Sequence, residues 1–72
     1  MNRAQPEPTK PLKAIRLPRV CELTGASRAT IWRLAKSDQT FPKPFHISEA
    51  ITCWNEGEVI DWLKSKMASR AA

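Results

Sequence analysis

Glycine, histidine, cysteine and long apolar runs are all scarce in this 72-residue chain. The only glycines are Gly25 and Gly57, too few and too far apart for a loop that cradles phosphate. No spacing of hydroxyl, thiol, imidazole and carboxylate groups suggests a nucleophile, base and orienting acid, so no enzyme is expected. Cys21, Cys53 and His46 are three candidate metal ligands without paired spacing, which falls short of a structural zinc site. Both cysteines read as small core residues, His46 reads as a wing or surface residue, and no cofactor is expected. No apolar run is long enough for a signal peptide or a membrane span, so no membrane partner is expected. The expected compartment is the cytosol, where thiols stay reduced.

What is present is positive charge, with twelve lysines and arginines against seven carboxylates, a formal net charge of +5. It is unevenly placed. Arg3, Lys10, Lys13, Arg16 and Arg19 against Glu7 give residues 1–19 a net +4. Arg28, Arg33, Lys36 and Lys43 against Glu22 and Asp38 give residues 20–46 a net +2. The remainder carries Glu49, Glu56, Glu58 and Asp61 against Lys64, Lys66 and Arg70, a net −1. A basic front and a slightly acidic back suit a protein with one face on a polyanion. A domain of this length buries only about 60% of its unfolded surface, so dimerisation or a bound polyanion would add to its stability.

Punctuation divides the chain. Pro6, Pro8 and Pro11 break any helix in residues 1–14, which are expected to form a disordered basic tail. A first helix is predicted from about Pro18, a good first-turn residue, to Thr24, with Gly25 as a left-handed cap. Leu17, Val20, Cys21 and Thr24 share one of its faces, with Leu23 beside them. Ser27 is placed to cap a second helix over residues 28–36. Residues 37–44 form a loop that Pro42 and Pro44 keep extended. Phe45–Ile47 and Ile51–Trp54 read as short strands joined through Ser48, Glu49 and Ala50. Asn55 and Glu58 make a variant capping box for a third helix, whose buried stripe is Val59, Trp62, Leu63 and Met67. The prediction is a mostly α domain over residues 15–68 in the order helix, helix, hairpin, helix, with a short tail at 69–72. Phe41, Phe45, Trp54 and Trp62 read as core residues rather than platforms for stacked bases.

The second helix carries the functional signal. Ile31, Leu34 and Ala35 form its apolar face, and at about 100° per residue Ala29, Arg33 and Lys36 point the opposite way. Arg28 and Trp32 flank the border. Two short helices joined by a tight glycine turn are the pattern of a helix-turn-helix, in which the first helix braces the second in the major groove. Periodicity and charge alone also fit an ordinary helical hairpin with a solvated basic face.

A resemblance narrows the choice. The run Arg16-Leu17-Pro18-Arg19-Val20-Cys21-Glu22-Leu23-Thr24-Gly25-Ala26-Ser27-Arg28-Ala29-Thr30-Ile31-Trp32-Arg33-Leu34 resembles the start of AlpA-type prophage regulators. Phe41-Pro42-Lys43-Pro44, Trp54, Glu58-Val59 and Trp62-Leu63 follow in that family's order and spacing. The family is similar to MerR-type winged helices and to phage excisionases. The resemblance implies a winged helix-turn-helix that binds double-stranded DNA and acts in transcriptional control or prophage excision. Carried over by position, Ser27, Arg28, Ala29, Thr30, Trp32 and Arg33 belong to the recognition-helix motif. Arg16, Arg19, Lys36 and Lys43 complete the expected DNA-facing set. Position 32 is commonly tyrosine in relatives; Trp32 keeps a ring and an N–H donor, and a core role for it stays open. Relatives usually carry glycine and then a basic residue at the hairpin tip. Ser48, Glu49 and Ala50 stand there instead, and a carboxylate is repelled by phosphate.

The reading taken forward is a sequence-specific regulator of a prophage or other mobile element. An excisionase that binds attachment-site DNA is the alternative on the same fold. A protein-interaction adaptor without DNA affinity is the alternative of another class. Integrase and RNA polymerase are candidate partners, with the protein a monomer in solution or assembling cooperatively on DNA.

Overall fold

A computed structural model describes residues 12–70. Strand β1 (Ala14–Ile15) leads into helix α1 (Leu17–Thr24) and helix α2 (Arg28–Ser37). The hairpin β2 (Phe45–Ser48) and β3 (Ile51–Asn55) follows, and helix α3 (Glu56–Ser69) closes the fold. The predicted order of three helices and one hairpin is present. Both sheet pairings are antiparallel and β3 is central, giving the order β1-β3-β2. Ile15 pairs with Trp54 and Phe45 with Cys53, and the β2–β3 register shifts between His46 and Ser48.

Each helix end has a local cause. Pro18 sits in the first turn of α1, which begins one residue earlier than expected, at Leu17. Gly25 ends it in the left-handed region at φ 74° and donates its N–H to the Cys21 carbonyl at 2.7 Å. A side chain is strained there, so glycine is preferred. Thr24 tightens the turn, donating its hydroxyl to the Val20 carbonyl and accepting the Ala26 N–H. Ser27 caps α2 by accepting the Thr30 N–H at 3.2 Å. Asn55 caps α3 by accepting from Gly57 and Glu58. Glu56, at the first position of that helix, donates its N–H to the Lys13 carbonyl at 2.9 Å.

The core is Ile15, Val20, Ile31, Phe41, Trp54 and Val59, one or more from every element except β2. Full burial of a side chain such as Val20 or Ile31 contributes roughly 1.5–3 kcal/mol. Cys53 is buried, and Cys21 packs half-buried against the core, so both fill apolar space as expected.

Four expectations need correction. The tail was drawn through residue 14, but Ala14 lies in β1 and Lys13 supplies a carbonyl to α3; two ladder residues behind a proline-rich stretch leave no periodic signal. The rest of that tail, with Arg3 and Lys10, lies outside the described residues. The C-terminal tail was drawn from residue 69, yet Ser69 is still helical. Phe45 was expected in the core and is 38% exposed, on an edge strand β2 that is exposed along its whole length. Met67 was expected in the buried stripe and is 56% exposed. At 1.5 Å per residue the last turns of α3 run past the small sheet they pack on.

Candidate nucleic-acid interface

Helix α2 turns one face inward and leaves the other bare. Ile31 is fully buried, and Leu34 and Ala35 are half-buried against the core. Arg28, Ala29, Arg33 and Lys36 are exposed. Among the described residues, no ion pair ties up Arg16, Arg28, Arg33 or Lys36. Three unpaired cations along ten residues, on a helix clamped from behind, form a rigid basic ridge. The packing fixes the helix backbone, while each exposed side chain still gives up rotamer freedom on meeting a phosphate or a base edge, at about 0.5–1.5 kcal/mol.

Ser27 and Thr30 stand at the start of that ridge with their side chains already joined. The Ser27 hydroxyl donates to Thr30 Oγ1 at 3.0 Å while accepting the Thr30 N–H. Their first task is to hold the helix start in place. Trp32 lies where the helix meets the hairpin. Its ring is 5.3 Å from that of Trp54, tilted by 56°, yet 43% of the residue remains exposed. Both roles weighed for Trp32 in the sequence are therefore visible in one side chain: part of it packs, part of it faces solvent.

The ends of α1 and α2 and the hairpin enclose a groove of about 350 Å³. Arg16, Arg28, Trp32, Ala50, Thr52 and Trp54 are among its walls. Arg16 is thus brought to the same opening as Arg28, twelve positions later in the chain. Trp54 is fully buried and its indole nitrogen has no hydrogen-bond partner.

Two other expected residues have structural partners. Arg19 pairs with Glu22 at 3.1 Å and reaches Glu56 at the start of α3 at 3.5 Å. Lys43 donates to the Ala35 carbonyl at 3.1 Å, supporting the last turns of α2. The Arg19–Glu22 pair is at helical i,i+3 spacing, but Glu56 lies far along the chain and the Ala35 carbonyl belongs to the backbone, so neither of these two partners is visible in a linear sequence. The hairpin tip presents Glu49 and Ala50, both exposed, as its composition implied.

A second polar cluster, absent from the sequence reading, fixes the loop after α2. Trp62 Nε1 donates to the Thr40 hydroxyl at 3.1 Å. Thr40 in turn donates its hydroxyl and its N–H to one carboxylate oxygen of Asp38, at 2.6 and 2.8 Å. Those bonds, the hydroxyl first, hold the Asp38 carboxyl below its ordinary value of 3.8. Phe41 meets Trp62 edge-on at 4.9 Å, and Lys66 lies over the Trp62 ring. Trp62 therefore anchors the loop to α3. No helix among the described residues is long and apolar enough to cross a membrane.

Comparison with known proteins agrees with the geometry. The family described as prophage CP4-57 regulatory protein (AlpA) matches residues 13–67. Those bounds take in β1 and most of α3. A relative from Escherichia coli (strain K12), the DNA-binding transcriptional activator AlpA, is 38% identical over 60 residues. The alignment covers 76% of this chain and 86% of that protein. No solved structure matches the chain. A fold of braced basic helix and short hairpin, matched over most of its length, identifies this chain as a member of the AlpA family of prophage regulatory proteins.

Proposed function

We propose that this protein is a DNA-binding transcriptional regulator of a prophage or related mobile element. Helix α2 is its recognition element, entering the major groove with the Arg28, Arg33 and Lys36 face forward. The observation that carries the reading is that ridge: exposed and unpaired cations on a helix whose other side is locked into the core. Arginine on such a helix reads guanine through two hydrogen bonds, or pins the backbone through phosphate. Ala29 lies at the helix start, where a small side chain lets the backbone approach a base edge. The hairpin lies beside the duplex with Glu49 turned from the phosphates. The relative's description as a DNA-binding transcriptional activator supports the same reading.

One domain of this size reads few base pairs, so adjacent copies on DNA extend the site, and RNA polymerase or an integrase is the protein partner. Footprinting on the element's own regulatory and attachment DNA tests the function. Protection within the promoter region supports a regulator. Protection confined to attachment-site repeats would move the assignment to an excisionase, and binding to neither would leave an adaptor.

A further inference from the structure

We propose that the groove between α1, α2 and the hairpin is a clamp for a single phosphate of the DNA backbone, with Arg16 and Arg28 supplying charge and the Trp54 indole N–H a directed hydrogen bond. The inference rests on the DNA-binding reading and refines it, because it moves Arg28 from base recognition to backbone positioning.

Three observations converge on this groove. Arg16 and Arg28 both line it, both are exposed, and neither has an ion-pair partner among the described residues. Two guanidinium groups at one opening repel each other unless an anion lies between them, and guanidinium matches phosphate through paired hydrogen bonds. Thr52, also in the wall, carries a hydroxyl that can donate to a phosphate oxygen.

The third observation is the Trp54 nitrogen. It is the one buried side-chain nitrogen or oxygen without a partner among the described residues. A buried donor left unmade is costly, and natural cores rarely tolerate one without a reason. Phenylalanine in that place would fill the core with no orphaned donor. An indole in the wall of a doubly basic groove has its reason when an anion arrives. In the free protein the nitrogen is closed to solvent, so the bond forms only as the phosphate seats and the groove wall gives way around it. The other two tryptophans serve as internal references: Trp62 already donates to Thr40, and Trp32 remains half in solvent.

A phosphate clamp adds affinity on every sequence alike, whereas base contacts by Arg33 discriminate. The test uses the full chain, labelled with nitrogen-15, titrated with a short duplex of arbitrary sequence at low salt. Expected is a large shift of the Trp54 indole N–H resonance while that of Trp62 stays in place. Arg16→Ala and Arg28→Ala should each weaken arbitrary and regulatory duplexes by the same factor. The variant lacking both side chains should also flatten the dependence of log K on log salt by about 0.9, the value for one phosphate contact, and each single variant by less. Duplex binding with the Trp54 resonance unmoved overturns the clamp and spares the DNA reading. So does an Arg28→Ala protein that loses affinity for regulatory DNA alone. A chain that binds no duplex at all overturns both.

Discussion

The ring of Trp32 on α2 lies 5.3 Å from the ring of Trp54 on the central strand, at an interplanar angle of 56°. This contact joins the exposed basic helix to the strand that carries the hairpin, so the orientation of one constrains the other. Tilted aromatic pairs at this distance are worth about 0.5–1.5 kcal/mol beyond their buried area. Trp32→Ala is expected to cost at least that much stability, measured by denaturant unfolding. Trp32→Phe keeps a ring and should retain most of it. If the Trp32 N–H also meets DNA, Trp32→Phe will bind less tightly while folding nearly as well. Equal stability of the alanine variant and the parent would remove the coupling between helix and wing.

Arg33 projects from α2 opposite the buried Ile31 and carries no ion pair among the described residues. Arg33→Ala should leave the unfolding midpoint nearly unchanged. It should cost about 1–3 kcal/mol of binding to regulatory DNA and much less on arbitrary duplex, if the guanidinium reads a base. Equal losses on both duplexes would assign Arg33 to phosphate instead.

Gly25 stands at φ 74° with open space where a Cβ would project, so only backbone conformation resists substitution. Gly25→Ala is expected to destabilise by about 1 kcal/mol, from the left-handed penalty less the gain from a stiffer unfolded chain. Asparagine tolerates that region better, so Gly25→Asn should cost less. Thermal unfolding of both variants checks the order; a neutral Gly25→Ala would contradict it.

Asp38 supplies a dependence on acid. Its carboxyl is held below 3.8 by the Thr40 hydroxyl and N–H, so the charged form is favoured in the folded state. The stabilisation is fully present above 3.8 and is lost as pH falls through the lower folded value. Asp38→Ala should therefore lie below the parent by a constant amount near neutrality, the two converging in acid. The Trp62 resonance should shift in parallel, because Trp62 hangs on the same threonine. A difference that persists unchanged in acid would exclude the charge of the Asp38 carboxylate as its source.

The N-terminal basic stretch separates into two contributions. Lys13 offers its carbonyl to the start of α3, and Ala14 pairs with Asn55. Deletion of residues 1–11 should spare the fold. Loss of Arg3 and Lys10 should weaken specific and arbitrary duplexes together and reduce the salt dependence. Extending the deletion through residue 15 should lower stability as well. Unchanged affinity and salt slope in the shorter deletion would show that residues 1–11 take no part in binding.

Legibility followed locality. Gly25, Ser27 and Asn55 mark helix ends within a few residues of themselves, and each does so in the structure. The inward face of α2 follows from spacing alone. What needed three dimensions was the choice between partners. Arg19 and Lys43 look like any other cations of the basic front until Glu56 and the Ala35 carbonyl are beside them. Phe45 reads as core because phenylalanine usually is, but a strand at the sheet edge has only one covered side. The meeting of Arg16, Arg28 and Trp54 depends on how two helices and a hairpin close, and no linear spacing encodes that.

The central claim is that α2 recognises a duplex. The most direct measurement is an equilibrium titration of the full chain with the element's regulatory duplex and a scrambled duplex over a range of salt. The account predicts tighter binding to the regulatory sequence, both complexes weakening as salt rises, and a preference that shrinks in Arg33→Ala. Equal affinity for the two duplexes, or no binding to either at low salt, would contradict it.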